Sequence, residues 1–189
     1  MFREEYMVFK EKEVELKDGT ICILRSPDEH DAEKMIEHLK ITSEETHFLT
    51  RYQEEINMTI EKEIELLKSN LNSNSDMMIA AFVDGDLAGS IGISCVRNHI
   101  KLKHRAIFGI AVKENYWNKG IGNIFIREVI EQAKGMGYEQ IELGVFSDND
   151  KAKKLYKKYG FEIWGNIKNA YKLKDGTYSD EIIMGKLIS

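Results

Sequence analysis

The sequence predicts an α/β chain, with a single mixed, mostly antiparallel twisted sheet flanked by helices on both faces. Three observations lead there. Two stretches, 8–24 and 77–96, read as hairpins. From residue 106 onward, short apolar runs and helical stripes follow in the order β-α-β-α-β-β, which requires a crossover between parallel strands. The chain has 189 residues, 42% apolar and 31% charged, enough for one folded domain with a substantial core. No repeat or linker divides it, so the domain is expected to span 1–189.

Val8–Leu16 alternates loosely, Asp18-Gly19 turns, and Thr20–Leu24 returns. Pro27-Asp28 opens a helix with Ala32, Met35, Ile36 and Leu39 on one face. The polar segment 42–56 has Phe48, Leu49 and Tyr52 as anchors. A second helix over 59–71 turns Ile60, Ile64 and Leu67 inward. Met77–Val83 and Leu87–Val96 flank an Asp84-Gly85-Asp86 turn. Gly89 and Gly92 in the second of these strands point to a bulge or a closely packed neighbour. After a basic loop, 97–105, comes the run F-G-I-A-V-K-E-N-Y-W-N-K-G-I-G, which leads into a helix with Ile121, Phe125, Val129 and Ala133 four apart. Gly135 and Gly137 bracket its end. Gln140–Phe146 is the next strand. A helix with Ala152, Leu155, Tyr156 and Tyr159 on one face stops at Gly160. Phe161–Trp164 and Ile182–Leu187 close the sheet.

Gly120 and Gly122 mark the place with most chemistry. Strand, glycine turn and helix follow in that order, so backbone N–H groups converge at a helix N-terminus, which suits a phosphate or pyrophosphate. A lone G-x-G is also a common simple turn. A dinucleotide fingerprint fails at Phe125, and no G-x-x-x-x-G-K-[ST] exists.

Net charge is −5, with no polybasic nucleic-acid surface, no membrane-spanning run and no metal-ligand spacing. Cys22 and Cys95 read as buried free thiols. With no signal-peptide pattern in M-F-R-E-E-Y-M, a cytoplasmic location is expected. The oligomeric state stays open, a homodimer among the options.

Two motifs carry a family resemblance. The first is I-A-V followed by Y-W-N-K-G-I-G. The second is Asn149, Ala152, Leu155-Tyr156 and Gly160-Phe161, spaced N-x-x-A-x-x-L-Y-x-x-x-G-F. Together they resemble the GCN5-related N-acetyltransferase superfamily, in the pattern of ribosomal-protein acetyltransferases and their small-amine relatives. The resemblance implies an acyl-CoA N-acyltransferase fold. It further implies acetyl-CoA as acetyl donor and an amine acceptor, a small molecule or a protein N-terminus, attacking directly in a ternary complex. A CoA-binding regulatory module without turnover is the alternative, and a generic phosphate-binding α/β protein a third.

On this reading the backbone of Trp117, Asn118, Lys119, Gly120, Ile121, Gly122 and Asn123 holds the pyrophosphate. Ile110, Ala111 and Val112 pair with the pantetheine arm, and Asn149 and Ala152 meet it from the other side. Trp117 departs from the family's usual Gln or Arg and is expected to contribute only its backbone. Tyr156 matches the family's acid for the departing thiolate; the bland reading is a core tyrosine. For a base, Glu142, Glu55, Glu54 and His104 are open, each equally readable as a solvated or paired side chain. Tyr52, Phe48, Trp164 and Glu54 are candidates for an acceptor wall, with core packing as the plain alternative for the aromatics.

Overall fold

A computed structural model of the chain describes residues 8–188. Residues 1–7, on which the expectation of no signal sequence rests, lie outside the described residues. Eight strands form one mixed sheet, β1 (Lys12–Glu15), β2 (Ile21–Arg25), β3 (Met77–Val83), β4 (Asp86–Cys95), β5 (Arg105–Val112), β6 (Gln140–Phe146), β7 (Glu162–Lys172) and β8 (Tyr178–Leu187), in the order β1-β2-β3-β4-β5-β6-β8-β7. Four helices accompany them: α1 (Ala32–Glu45), α2 (Ile60–Leu71), α3 (Ile121–Gly135) and α4 (Asp150–Lys158). No helix among the described residues is long and apolar enough to cross a membrane. The backbone groups into two compact units. One holds the chain up to Ser94 together with Gly109–Phe125. The other holds Cys95–Phe108 and the chain from Ile126 on.

In the first unit β1 and β2 pair antiparallel through the expected Asp18-Gly19 turn, where Gly19 takes φ +82°, a conformation that costs glycine little. The strand begins at Lys12 rather than Val8. Ahead of α1, Asp28 caps a single 3-10 turn, and Arg25 grips Asp31 through two hydrogen bonds of 2.6 and 2.8 Å. Ala32 and Met35 of α1 and Leu67 of α2 pack with Ala80, Phe82 and Leu87 of the sheet. The buried face of α1 takes in His38 and Thr42, with Leu39 only half-buried. On α2, capped by Thr59, Leu67 is buried and Ile64 half-buried as expected, Glu63 is buried beside them, and Ile60 is exposed, contrary to expectation.

Gly89 behaves as its presence in a strand suggests. The β3/β4 register passes from Ala81↔Gly89 to Phe82↔Leu87, so Ala88 is the extra residue of a bulge. A Cβ on Gly89 would lie 3.0 Å from the Ala111 carbonyl oxygen and 3.1 Å from Val112 and Phe125. The Ala88 carbonyl accepts from the Lys113 N–H at 2.9 Å. The bulge thus bears on the last residues of β5, the start of the motif.

In the second unit β5 and β6 run parallel, with Arg105, Ala106 and Ile107 opposite Gln140, Ile141 and Glu142. β6, β8 and β7 are antiparallel neighbours. β7 and β8 extend well beyond the apolar runs that mark them. β7 ends the strand order and is exposed along most of its length, so no alternating burial pattern announces it. Cys22 is buried, which pushes its thiol up to about 11, whereas Cys95 is only half-buried.

Candidate functional site

The glycine turn lies wholly within the first unit. Asn118 and Gly120 both adopt left-handed backbone, φ +65° and +106°. Asparagine and glycine are the residues that tolerate it, and such alternation curls successive N–H groups around a concavity suited to an anion. The first helical bond of α3 runs from Ile124 N–H to the Gly120 carbonyl, 3.1 Å. The amides of Ile121, Gly122 and Asn123 therefore precede the helical ladder, at its positive end.

The neighbours of this turn were not legible in the sequence. The β1/β2 turn packs against it. Lys17 N–H donates to the Lys119 carbonyl at 3.0 Å, Asp18 pairs with the Lys119 ammonium at 3.0 Å, and the Lys17 side chain lies 3.4 Å from where a Cβ on Gly120 would be. The Lys119 contact draws the Asp18 carboxyl down to about 2. Two lysines thus lie at the turn, Lys17 from the first hairpin and Lys119 from the turn itself. Trp117 does more than its backbone: its indole N–H donates to the Val112 carbonyl at 2.7 Å, tying the turn to the end of β5. Ile110, Ala111 and Val112 are half-buried. Lys113 is buried against Asp86 at 2.9 Å, and Tyr116 donates to the same carboxylate at 3.0 Å. These contacts hold the turn from below.

Also in the first unit, Glu55 accepts from the Tyr52 N–H at 2.8 Å and closes a one-turn 3-10 helix, Gln53–Glu55. Tyr52 and Phe48 are half-buried and Glu54 exposed.

In the second unit, Asn149 is the N-cap of α4, its side-chain oxygen accepting from Ala152 N–H at 3.1 Å. That spends the acceptor and leaves the amide NH₂ as the donor for a ligand. Tyr156 is on the buried face of α4, 6% exposed, with Phe108 and Phe161 edge-on to its ring at centroid distances of 5.8 and 6.0 Å. Burial alone pushes its phenol up to about 12. The group therefore stays neutral, a donor, across the physiological range.

Glu142, read as a candidate base, forms an ion pair in the structure. Arg105 binds both carboxylate oxygens at 2.6 and 2.7 Å, Gln140 adds a third bond at 2.7 Å, and the Arg105 contact holds the carboxyl below its ordinary range. The His104 carbonyl accepts from Glu139 and Gln140, so this residue supports the β5/β6 entry through its backbone.

Comparison with known proteins gives the family of the chain. The model of the acetyltransferase (GNAT) family matches residues 29–161. The L-amino acid N-acetyltransferase AaaT of Escherichia coli is 40% identical over 110 residues, 58% of this chain and 67% of that protein. Among solved structures, a GNAT-family acetyltransferase from Streptococcus pneumoniae superposes with a TM-score of 0.84 at 28% identity, covering 89% of this chain and 99% of that one. YncA of Salmonella typhimurium, solved with its cofactor acetyl-CoA, gives 0.77 at 15% identity over 88% and 93% of the two chains, a likeness of fold.

Proposed function

Because the chain belongs to the acetyltransferase (GNAT) family, we propose that it moves the acetyl group of acetyl-CoA to a primary amine by direct attack in a ternary complex. The acceptor class to test first is small amines, α-amino acids among them, since the E. coli relative is named for that substrate. The observation that carries the reading is the matched family together with a turn whose left-handed Asn118 and Gly120 curl amides toward one point at the head of α3.

In this proposal the amides of Asn118–Asn123 take the pyrophosphate, with Lys17 and Lys119 beside them. The backbone of Ile110, Ala111 and Val112 pairs with the amides of the pantetheine arm, and Asn149 donates to it through its side-chain NH₂. The Val112 N–H faces the thioester oxygen as charge builds there. The amine nitrogen forms its bond to the acetyl carbon, the C–S bond breaks, and the thiolate takes the Tyr156 proton. Glu142 is assigned no base role, since Arg105 and Gln140 already bind its carboxylate and hold it below its ordinary range. The acceptor gives one proton to water before attack and a second after it, and water returns one to the Tyr156 phenolate. Most of the acceleration is assigned to holding thioester and amine together.

The test is free-thiol release from acetyl-CoA in the presence of single amines. Amine-dependent release with an N-acetyl product supports the proposal. Tight acetyl-CoA binding with no product from any amine supports the CoA-binding module instead.

A further inference from the structure

One face of the sheet in the second unit carries a recess that none of the roles above uses. Strand alternation and register put Gly144 and Phe146 of β6 beside Ile183 and Glu181 of β8 on this face. Tyr171 of β7 joins them because β7 bulges. Its register passes from Ile167↔Glu181 to Tyr171↔Ser179, two residues longer on β7, with Asn169 at φ +52° and its N–H held by Asp180 at 2.8 Å.

Two glycines make the room. A Cβ on Gly144 would overlap the Glu181 carboxylate, and a Cβ on Gly185 would overlap the Trp164 ring. The acid therefore lies down over bare backbone, as does the indole. Tyr171 stacks on Phe146 at 3.8 Å between centroids, 8° from parallel, and its hydroxyl donates to Glu181 at 2.8 Å. Among the described residues no Lys, Arg or His forms an ion pair with Glu181. The result is a half-buried carboxylate, fixed in direction by one neutral donor whose ring stacks on Phe146, and paired with no cation among the described residues.

A carboxylate so placed suits an ammonium, and the rings suit the carbon body that bears it. We propose that Glu181, held by Tyr171 where that ring stacks on Phe146, is the group that takes the ammonium of the acceptor amine, and that the acceptor carries an apolar body next to that ammonium. This rests on the reading that the acceptor is an amine.

The probe is 2-phenylethylamine, with 2-phenylethanol as its uncharged counterpart. Glu181→Gln keeps the shape and an oxygen to accept from Tyr171 but removes the charge. One charge-assisted hydrogen bond corresponds to roughly tenfold or more in binding. KM for the amine should rise by that factor, while KM for acetyl-CoA stays put and kcat changes little. Glu181→Asp should fall between, and Gly144→Ala, which pushes the carboxylate aside, should resemble Glu181→Gln. Calorimetry without acetyl-CoA supplies a second arm. Wild-type protein should bind the amine and not the alcohol, and Glu181→Gln should bind the amine more weakly by that same factor. That pattern without turnover would uphold the ammonium site while removing the acetyl-transfer reading. Turnover with the same amine KM in folded Glu181→Gln would overturn the site and leave acetyl transfer intact. A wild-type protein that binds amine and alcohol alike, or neither, would also overturn it.

Discussion

Replacing Tyr156 by phenylalanine removes a single oxygen from α4. The ring sits 6% exposed, edge-on to Phe108 and Phe161, and phenylalanine keeps both contacts. Folding should therefore change by no more than about 1 kcal/mol, the net worth of an ordinary hydrogen bond. Catalysis should change more. A donor to a developing thiolate is a hydrogen bond to a charged group, about 1.5–3 kcal/mol, or roughly 10–100-fold in rate. General acids usually give about 10²–10⁴-fold. A thiolate leaves readily, so the expectation is near 10²-fold. The loss should appear in kcat and kcat/KM alike, as for an interaction formed mainly in the transition state. With its phenol pushed up to about 12, Tyr156 should add no falling limb to the pH–rate profile between about pH 7 and 10. Steady-state kinetics at saturating acetyl-CoA, alongside thermal melts, read both quantities. Wild-type kcat in a folded Tyr156→Phe would refute the acid role and make Tyr156 a core residue.

Gly122→Val crowds the amides at the head of α3 and should weaken acetyl-CoA binding about tenfold or more by calorimetry, with the fold retained. Glu63 is buried on α2 with one carboxylate oxygen unpartnered, and burial raises its pKa. The folded state then holds its proton to higher pH, so stability falls as pH rises from the ordinary carboxyl range through the raised value. Glu63→Gln should escape that loss and raise the midpoint of urea unfolding at pH 7, by an amount near 1 kcal/mol. His38, fully buried with Nε2 3.2 Å from the Ser90 hydroxyl, is lowered from 6.5 to about 4, mainly by burial and further by Lys113. The unfolded chain takes its proton first, so stability is complete above 6.5 and declines as pH falls toward 4. The decline should reach about 3 kcal/mol in wild type and be smaller in His38→Gln, measured as urea midpoints across that interval.

What could be read from sequence was what depends on neighbours along the chain. The Asp18-Gly19 turn and the strand-turn-helix at Gly120 follow from local backbone chemistry and match the structure. Gly89 was legible as an oddity because a strand glycine leaves a gap that something must fill; that Ala111, Val112 and Phe125 fill it was not. Ile60 failed as a core position although it shares a face with Glu63 and Leu67, because it is the first residue of α2 and the buried positions lie further along the helix. The length of β7 was hidden because an exposed edge strand carries no burial period. At the candidate site two of the missing partners come from distant sequence. Lys17 reaches Gly120 from the first hairpin, and Arg105 reaches Glu142 through the parallel pairing of β5 and β6. The indole bond of Trp117 to Val112 spans only five residues, yet it needs a loop conformation that no periodicity encodes.

The central claim is that the acetyl group passes directly from sulfur to an amine nitrogen. It is tested by a single turnover with acetyl-CoA labelled in its acetyl carbons, enzyme in excess and one amine present, the label being followed by mass spectrometry. Direct transfer predicts that label leaves acetyl-CoA and appears on the N-acetyl amine, with none resident on the protein at intermediate times. Label in free acetate, or held covalently on the chain before the amine acquires it, would contradict the account.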